Sequence, residues 1–144
     1  MKPVRIFHVR NLLTALFMVA YYRQEKLSRE NCRDVCLLTL DNELKHAPTE
    51  DKKGADSLVA AYQTMARMIS SEVILCKEPD TEYREMSFKT RAANLAHKKE
   101  YLTYLKGIFQ KNTIDSRHIT EVFHGNGTVH QYIHYLNPQA KLHG

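Results

Sequence analysis

Apolar positions along this 144-residue chain switch repeatedly between two spacings. Four short runs rich in β-branched and aromatic residues read as strands: PVRIFHV (Pro3 to Val9), DVCLLTL (Asp34 to Leu40), EVILC (Glu72 to Cys76) and RHITEVFH (Arg117 to His124). In the intervening segments apolar residues recur every three or four positions, as on a helix with one buried face. Leu58, Tyr62, Met65 and Ile69 form one such stripe, with Ala55, Val59 and Ala66 beside it. Leu95, Leu102, Leu105 and Phe109 form another, on a helix from about Arg91 to Gln110. Val129, Ile133 and Leu136 form a third within TVHQYIHYL, which Asn137 and Pro138 end.

The segment LLTALFMVAYY, Leu12 to Tyr22, is apolar nearly all round. That predicts a core helix covered on more than one side, with Asn11 capping its first free N–H groups. AKLHG after Pro138 reads as a fifth strand. Asp41 to Asp56 and Lys77 to Thr90 read as polar connections. The order βαβαβαβαβ predicts an α/β domain, a mostly parallel five-stranded sheet with helices on both faces and right-handed crossovers.

Ligands of an open parallel sheet gather beyond the carboxyl ends of its strands. Two loops there carry candidate chemistry. In HVRN, His8 to Asn11, Arg10 can pair with a phosphate or carboxylate, and Asn11 can cap the helix or orient a sugar hydroxyl. In HGNG, His124 to Gly127, the two glycines mark a tight turn just before a helix start that can receive an anion. HGNG matches neither the dinucleotide fingerprint nor the ATP-binding loop. In the common doubly wound order the first and fourth strands are neighbours, so the two loops are expected to face each other across a cleft.

His130 and His134 have the spacing of two zinc ligands on one helix face, with His124 as a third. The intervening QYI holds no glutamate to act as a base, and no metal is expected. Asn126 to Thr128 spells a glycosylation acceptor, read here as turn and helix cap. Tyr21, Tyr22, Tyr101 and Tyr104 are expected to seal core edges.

Composition narrows the classes. Hydrophobic residues make up 43% of the chain, which excludes a disordered tail. The net charge of +5 is dispersed and biases the domain toward anionic partners without indicating nucleic acid. Three cysteines, Cys32, Cys36 and Cys76, are odd in number and in no metal spacing, so free thiols and a reducing compartment are expected. The apolar run from Leu12 covers 11 residues, against the ~20 of a bilayer helix. A receiver-like module would place acids after the first strand, and a flavin module a Ser/Thr/Gly phosphate loop. HVRN offers neither, although a stand-alone regulatory or ligand-binding module remains the alternative class.

RIFHVRNLLTALFMVAYY, DVCLLTL and HITEVFHGNGTVHQYIHYLNPQAKLHG together resemble the amino-terminal half of bacterial sialyltransferases and polysialyltransferases of capsule and lipooligosaccharide synthesis. In that family two Rossmann-like domains face each other across a cleft, in the GT-B arrangement, and a sugar passes from a nucleotide donor to a glycan. The resemblance implies that residues 1–144 form one Rossmann-like domain of a larger enzyme, with a C-terminal domain beyond Gly144. It implies a cytidine monophosphate–sialic acid donor, no permanently bound cofactor, a glycan acceptor and no nucleic-acid partner. It also implies a cytoplasmic location, with peripheral association at the inner face of the membrane. His8, Arg10 and Asn11 would line one wall of the cleft and His124, Gly125, Asn126 and Gly127 another. No catalytic residue is assigned, because the family's acidic base has no matching position before the chain ends.

Overall fold

The computed structural model describes residues 2–26, 30–40, 52–77, 91–123 and 128–143. Its strands are β1 (Val4–Val9), β2 (Arg33–Leu40), β3 (Glu72–Lys77), β4 (Ile119–Phe123) and β5 (Lys141–His143). Its helices are α1 (Leu12–Gln24), α2 (Lys52–Arg67), α3 (Arg91–Lys111) and α4 (Thr128–Leu136), and a 3-10 turn (Ser116–His118) precedes β4. The strands form one parallel sheet in the order β3-β2-β1-β4-β5, a Rossmann-like α/β arrangement.

The chain first winds outward from β1 to β3, then returns past β1 to β4 and β5. Right-handed crossovers therefore put α1 and α2 on one face and α3 and α4 on the other. Alternate residues of β1 supply both cores. Phe7 and Val9 meet Ala15, Met18, Tyr62, Ala66 and Ile69 from the α1/α2 layer. Val4 and Ile6 meet Leu105, Phe109, Val129 and Ile133 from the α3/α4 layer. Tyr101 is buried, and the Tyr104 hydroxyl accepts the Lys77 N–H at 2.8 Å, so both seal core edges as expected.

The amino-terminal edge of the sheet is closed by paired charges. Arg5 on β1 makes a bidentate contact to its register partner Asp34 on β2, with both bonds at 2.7 Å. Arg33 pairs with Glu72 of β3 and donates to the carbonyls of Asn112 (2.7 Å) and Thr113 (2.8 Å) where the chain leaves α3. Asn137 donates to the carbonyls of Ser116 (3.0 Å) and Ile119 (2.8 Å), fixing the end of α4 to the start of β4.

Several expected details are corrected. The helix from Leu12 is not enclosed, since Leu13 is 76% exposed, Leu16 51% and Phe17 55%. It lies in an outer layer with the sheet beneath and α2 beside it, so of its described side chains only Ala15 and Met18 are fully buried. Leu136 is exposed rather than inward, and Tyr132 takes its place in the core. α2 begins at Lys52, inside the stretch read as a loop. β4 begins two residues later than expected because Asp115 accepts the Arg117 N–H at 3.0 Å and turns the chain there. No described helix is long and apolar enough to cross a membrane.

The two sides of α1 give a direct test by chemical denaturation. Met18→Asp, at a fully buried site, should leave the domain largely unfolded, because an unpaired core charge costs several kcal/mol against a total of roughly 5–15 kcal/mol. Leu16→Asp should shift the unfolding free energy by only about 0.5 kcal/mol.

Candidate functional site: the crevice between β1 and β4

β1 and β4 are neighbours whose chains depart toward opposite faces, α1 on one and α4 on the other. This is the switch point of the sheet, the place beyond the strand ends where open α/β sheets hold their ligands. His8, Arg10 and Asn11 all lie at the β1 side of it.

His8 shares its strand face with Val4 and Ile6 and so points toward the α3/α4 layer. Its Nε2 lies 2.7 Å from Thr39 Oγ1 on β2, and its Nδ1 is buried with no hydrogen-bond partner among the described residues. Either tautomer leaves one ring nitrogen unsatisfied, a cost of about 1–3 kcal/mol. Burial, then the proximity of Arg10 and His130, pushes the His8 pKa down to about 3, so the ring is neutral at physiological pH. His130, in the first turn of α4, also has a buried Nε2 with no partner among the described residues. Its pKa is lowered by burial and then by His134 one turn on.

Arg10 is exposed and forms no ion pair with a described residue. Asn11 caps α1. Its side chain accepts the Thr14 N–H at 2.8 Å while Thr14 Oγ1 accepts the Asn11 N–H at 3.0 Å, a reciprocal capping box. The backbone N–H of Arg10 also reaches Thr14 Oγ1, at 3.2 Å, so the loop is held while the guanidinium extends into solvent.

On the opposite sheet face three rings stack in register across the carboxyl ends. Phe7 and Phe123 are 4.6 Å apart, and Phe123 and His143 are 4.3 Å apart and nearly coplanar in orientation. His143 Nε2 is 3.2 Å from Glu121 Oε1. The crevice thus has an aromatic wall below α1 and a histidine wall below α4.

His124, Gly125, Asn126 and Gly127 lie outside the described residues, as does the third member of the histidine trio read for metal. Among the described residues no three His, Cys, Asp or Glu side chains are grouped to hold an ion. Thr39 was not singled out from sequence. Its signal is a hydroxyl inside the apolar run LLTL, two positions past the register partner of His8. Cys36 and Cys76 occupy opposite cores, and burial pushes both thiols up to about 12, so they are inert packing residues.

Comparison with protein-family models, curated proteins and solved structures gave no match to this chain. The fold itself is a parallel α/β arrangement, consistent with a generic nucleotide- or ligand-binding domain.

His8 makes stability pH-dependent in a defined direction. An unfolded histidine titrates near 6.5 and the folded one near 3. Protonation therefore favours the unfolded chain as pH falls through this window, and the contribution is complete above 6.5. Urea unfolding between pH 6 and 4 should lose about 1.4 kcal/mol per pH unit from this group, with little change between about pH 7.5 and 6.5. His8→Gln should flatten the profile by that amount. An unchanged slope would mean that His8 is not held neutral in the fold.

Proposed function

We propose that the domain binds the anionic portion of a nucleotide-type ligand at the β1–β4 crevice. The observation that carries this reading is the contrast between the two sheet edges. At the amino edge Arg5, Arg33 and Asn137 have protein partners, and the buried His118 Nδ1, which makes no hydrogen bond among the described residues, still lies 3.5 Å from the Asp115 carboxylate. At the carboxyl edge Arg10 has no ion pair, and His8 Nδ1 and His130 Nε2 have no hydrogen bond among the described residues. Buried polar atoms normally find partners, and clusters of unpartnered ones are characteristic of sites that wait for a ligand. The first turn of α4 adds N–H groups and weak positive potential on the same side.

The specific form of the reading follows from the resemblance to sialyltransferases. In it the ligand is cytidine monophosphate–sialic acid or an acidic glycan, the loop from His124 to Gly127 forms the facing wall, and a second α/β domain closes the cleft. Half a cleft leaves most of a ligand in water, so binding to the 144-residue chain should be weak, with Kd near ~1 mM.

Titration followed by NMR, with inorganic phosphate, cytidine monophosphate and the sialylated nucleotide as separate probes, tests both levels. Shifts of Arg10 and His130 resonances, weakened about tenfold in Arg10→Ala, are the expected result for the crevice. A preference for the sialylated nucleotide over the other two is expected for the transferase form. Shifts confined to residues away from β1 and α4 would remove the site. Equal response to all three probes would leave an anion site and remove the sialyltransferase assignment.

A further inference from the structure

Between the outer surfaces of α3 and α4 lies a groove of about 580 Å3, on the opposite layer from α1 and outside the β1–β4 crevice. Its apolar surface includes Leu102 of α3 and Tyr135 and Leu136 of α4, and Tyr135 is 83% exposed. Its rim carries Lys98 and Lys99 at one end and Lys106 at the other, separated by about 12 Å of helix axis. No acidic side chain lines it among the described residues. Glu100, the one acid in the 21 residues of α3, projects from a different side of that helix, and α4 has none.

An apolar trough ringed by one sign of charge is an unusual use of helix surface. Solvated helix faces normally intersperse both signs, and an exposed tyrosine beside an exposed leucine is stabilised by nothing in the fold. The volume lies in the range of small-molecule sites, which are apolar with a few charged groups that orient the ligand. We propose that this groove binds a single-chain organic anion, an acyl or aryl group bearing a carboxylate or phosphate. The apolar body lies along Leu102, Tyr135 and Leu136, and the head group meets Lys98 and Lys99, which act as point charges. Lys106 raises the potential along the trough and excludes cations.

Calorimetric titration of the whole chain with octyl phosphate, octanol and inorganic phosphate separates the contributions of body and head. The expected result is one octyl phosphate per chain, bound at least about tenfold more tightly than either half alone, with affinity that falls as salt rises. Lys98→Glu with Lys99→Glu should weaken it by a further factor of about ten without changing the thermal unfolding curve, since both lysines are exposed. Tyr135→Ser should weaken octyl phosphate and leave inorganic phosphate unaffected. The proposal is overturned if octanol binds as tightly as octyl phosphate, if the double reversal changes nothing, or if binding appears only with vesicles of anionic lipid. Carrying out the titrations in an Arg10→Ala background removes phosphate binding at the β1–β4 site, so failure here is distinct from failure of that reading.

Discussion

β1 has no exposed face. Its six residues are all buried, flanked by β2 and β4 and covered by a helical layer on each side, yet two of the six are Arg5 and His8. A buried polar group must find its partners inside the protein or cost the fold several kcal/mol. Arg5 meets the requirement fully. Its fork faces both Asp34 oxygens, and its guanidinium lies 5.5 Å from the Phe7 ring centre. Because Arg5 and Asp34 are register partners, the ion pair also opposes slippage of β2 along β1. His8 meets the requirement at one nitrogen only. The same strand is therefore fully paired at its amino end and, among the described residues, one hydrogen bond short at its carboxyl end.

That asymmetry extends through the sheet. Arg33 ties β2 to β3 and to the end of α3, and Asp115 and Asn137 organise the entry to β4, all at the amino edge. The carboxyl edge is held by packing of Phe7, Phe123 and His143 and by the capping box at Asn11. Those devices fix the backbone at this edge without using the Arg10 side chain or His8 Nδ1 among the described residues. An arginine at the amino edge acts structurally because carboxylates and carbonyls surround it. Among the described residues Arg10 has no such partner.

The strand and helix order was legible because spacing changes from two to about three and a half residues at each junction, and parallel winding leaves few arrangements. α4 was located to the residue by TVHQYIHYL and its proline stop. The orientation of α1 was not legible. A helix with apolar residues at nearly every position holds no record of which side meets the sheet, and Leu16 and Met18 are indistinguishable until the layer is assembled. Leu136 and Tyr132 were exchanged for a related reason, since both fall near the edge of the Val129–Ile133 stripe. Arg10 and Asn11 could be placed from the strand end alone. Thr39 could not, because its meeting with His8 depends on β2 lying beside β1. The α3–α4 groove combines residues about thirty positions apart, and only packing brings Lys98, Lys99 and Lys106 opposite Tyr135 and Leu136.

α4 connects these observations physically. Nine residues are too few for a stable isolated helix, so its position must be imposed from outside. Val129 and Ile133 anchor its inner face in the core, which sets its rotation but resists sliding along its axis less strongly. The axial position is set by Asn137, whose side-chain amide bridges the carbonyls of Ser116 and Ile119 while its Oδ1 accepts the Gln139 N–H at 3.1 Å. From sequence Asn137 appeared only as the residue that a proline forces out of the helix. In the fold it is the pin that determines both how near His130 stands to His8 and where Tyr135 stands over α3. A single side chain at the amino edge thus positions the charged and aromatic groups of two separate surfaces, one beyond the end of the sheet and one on its outer layer.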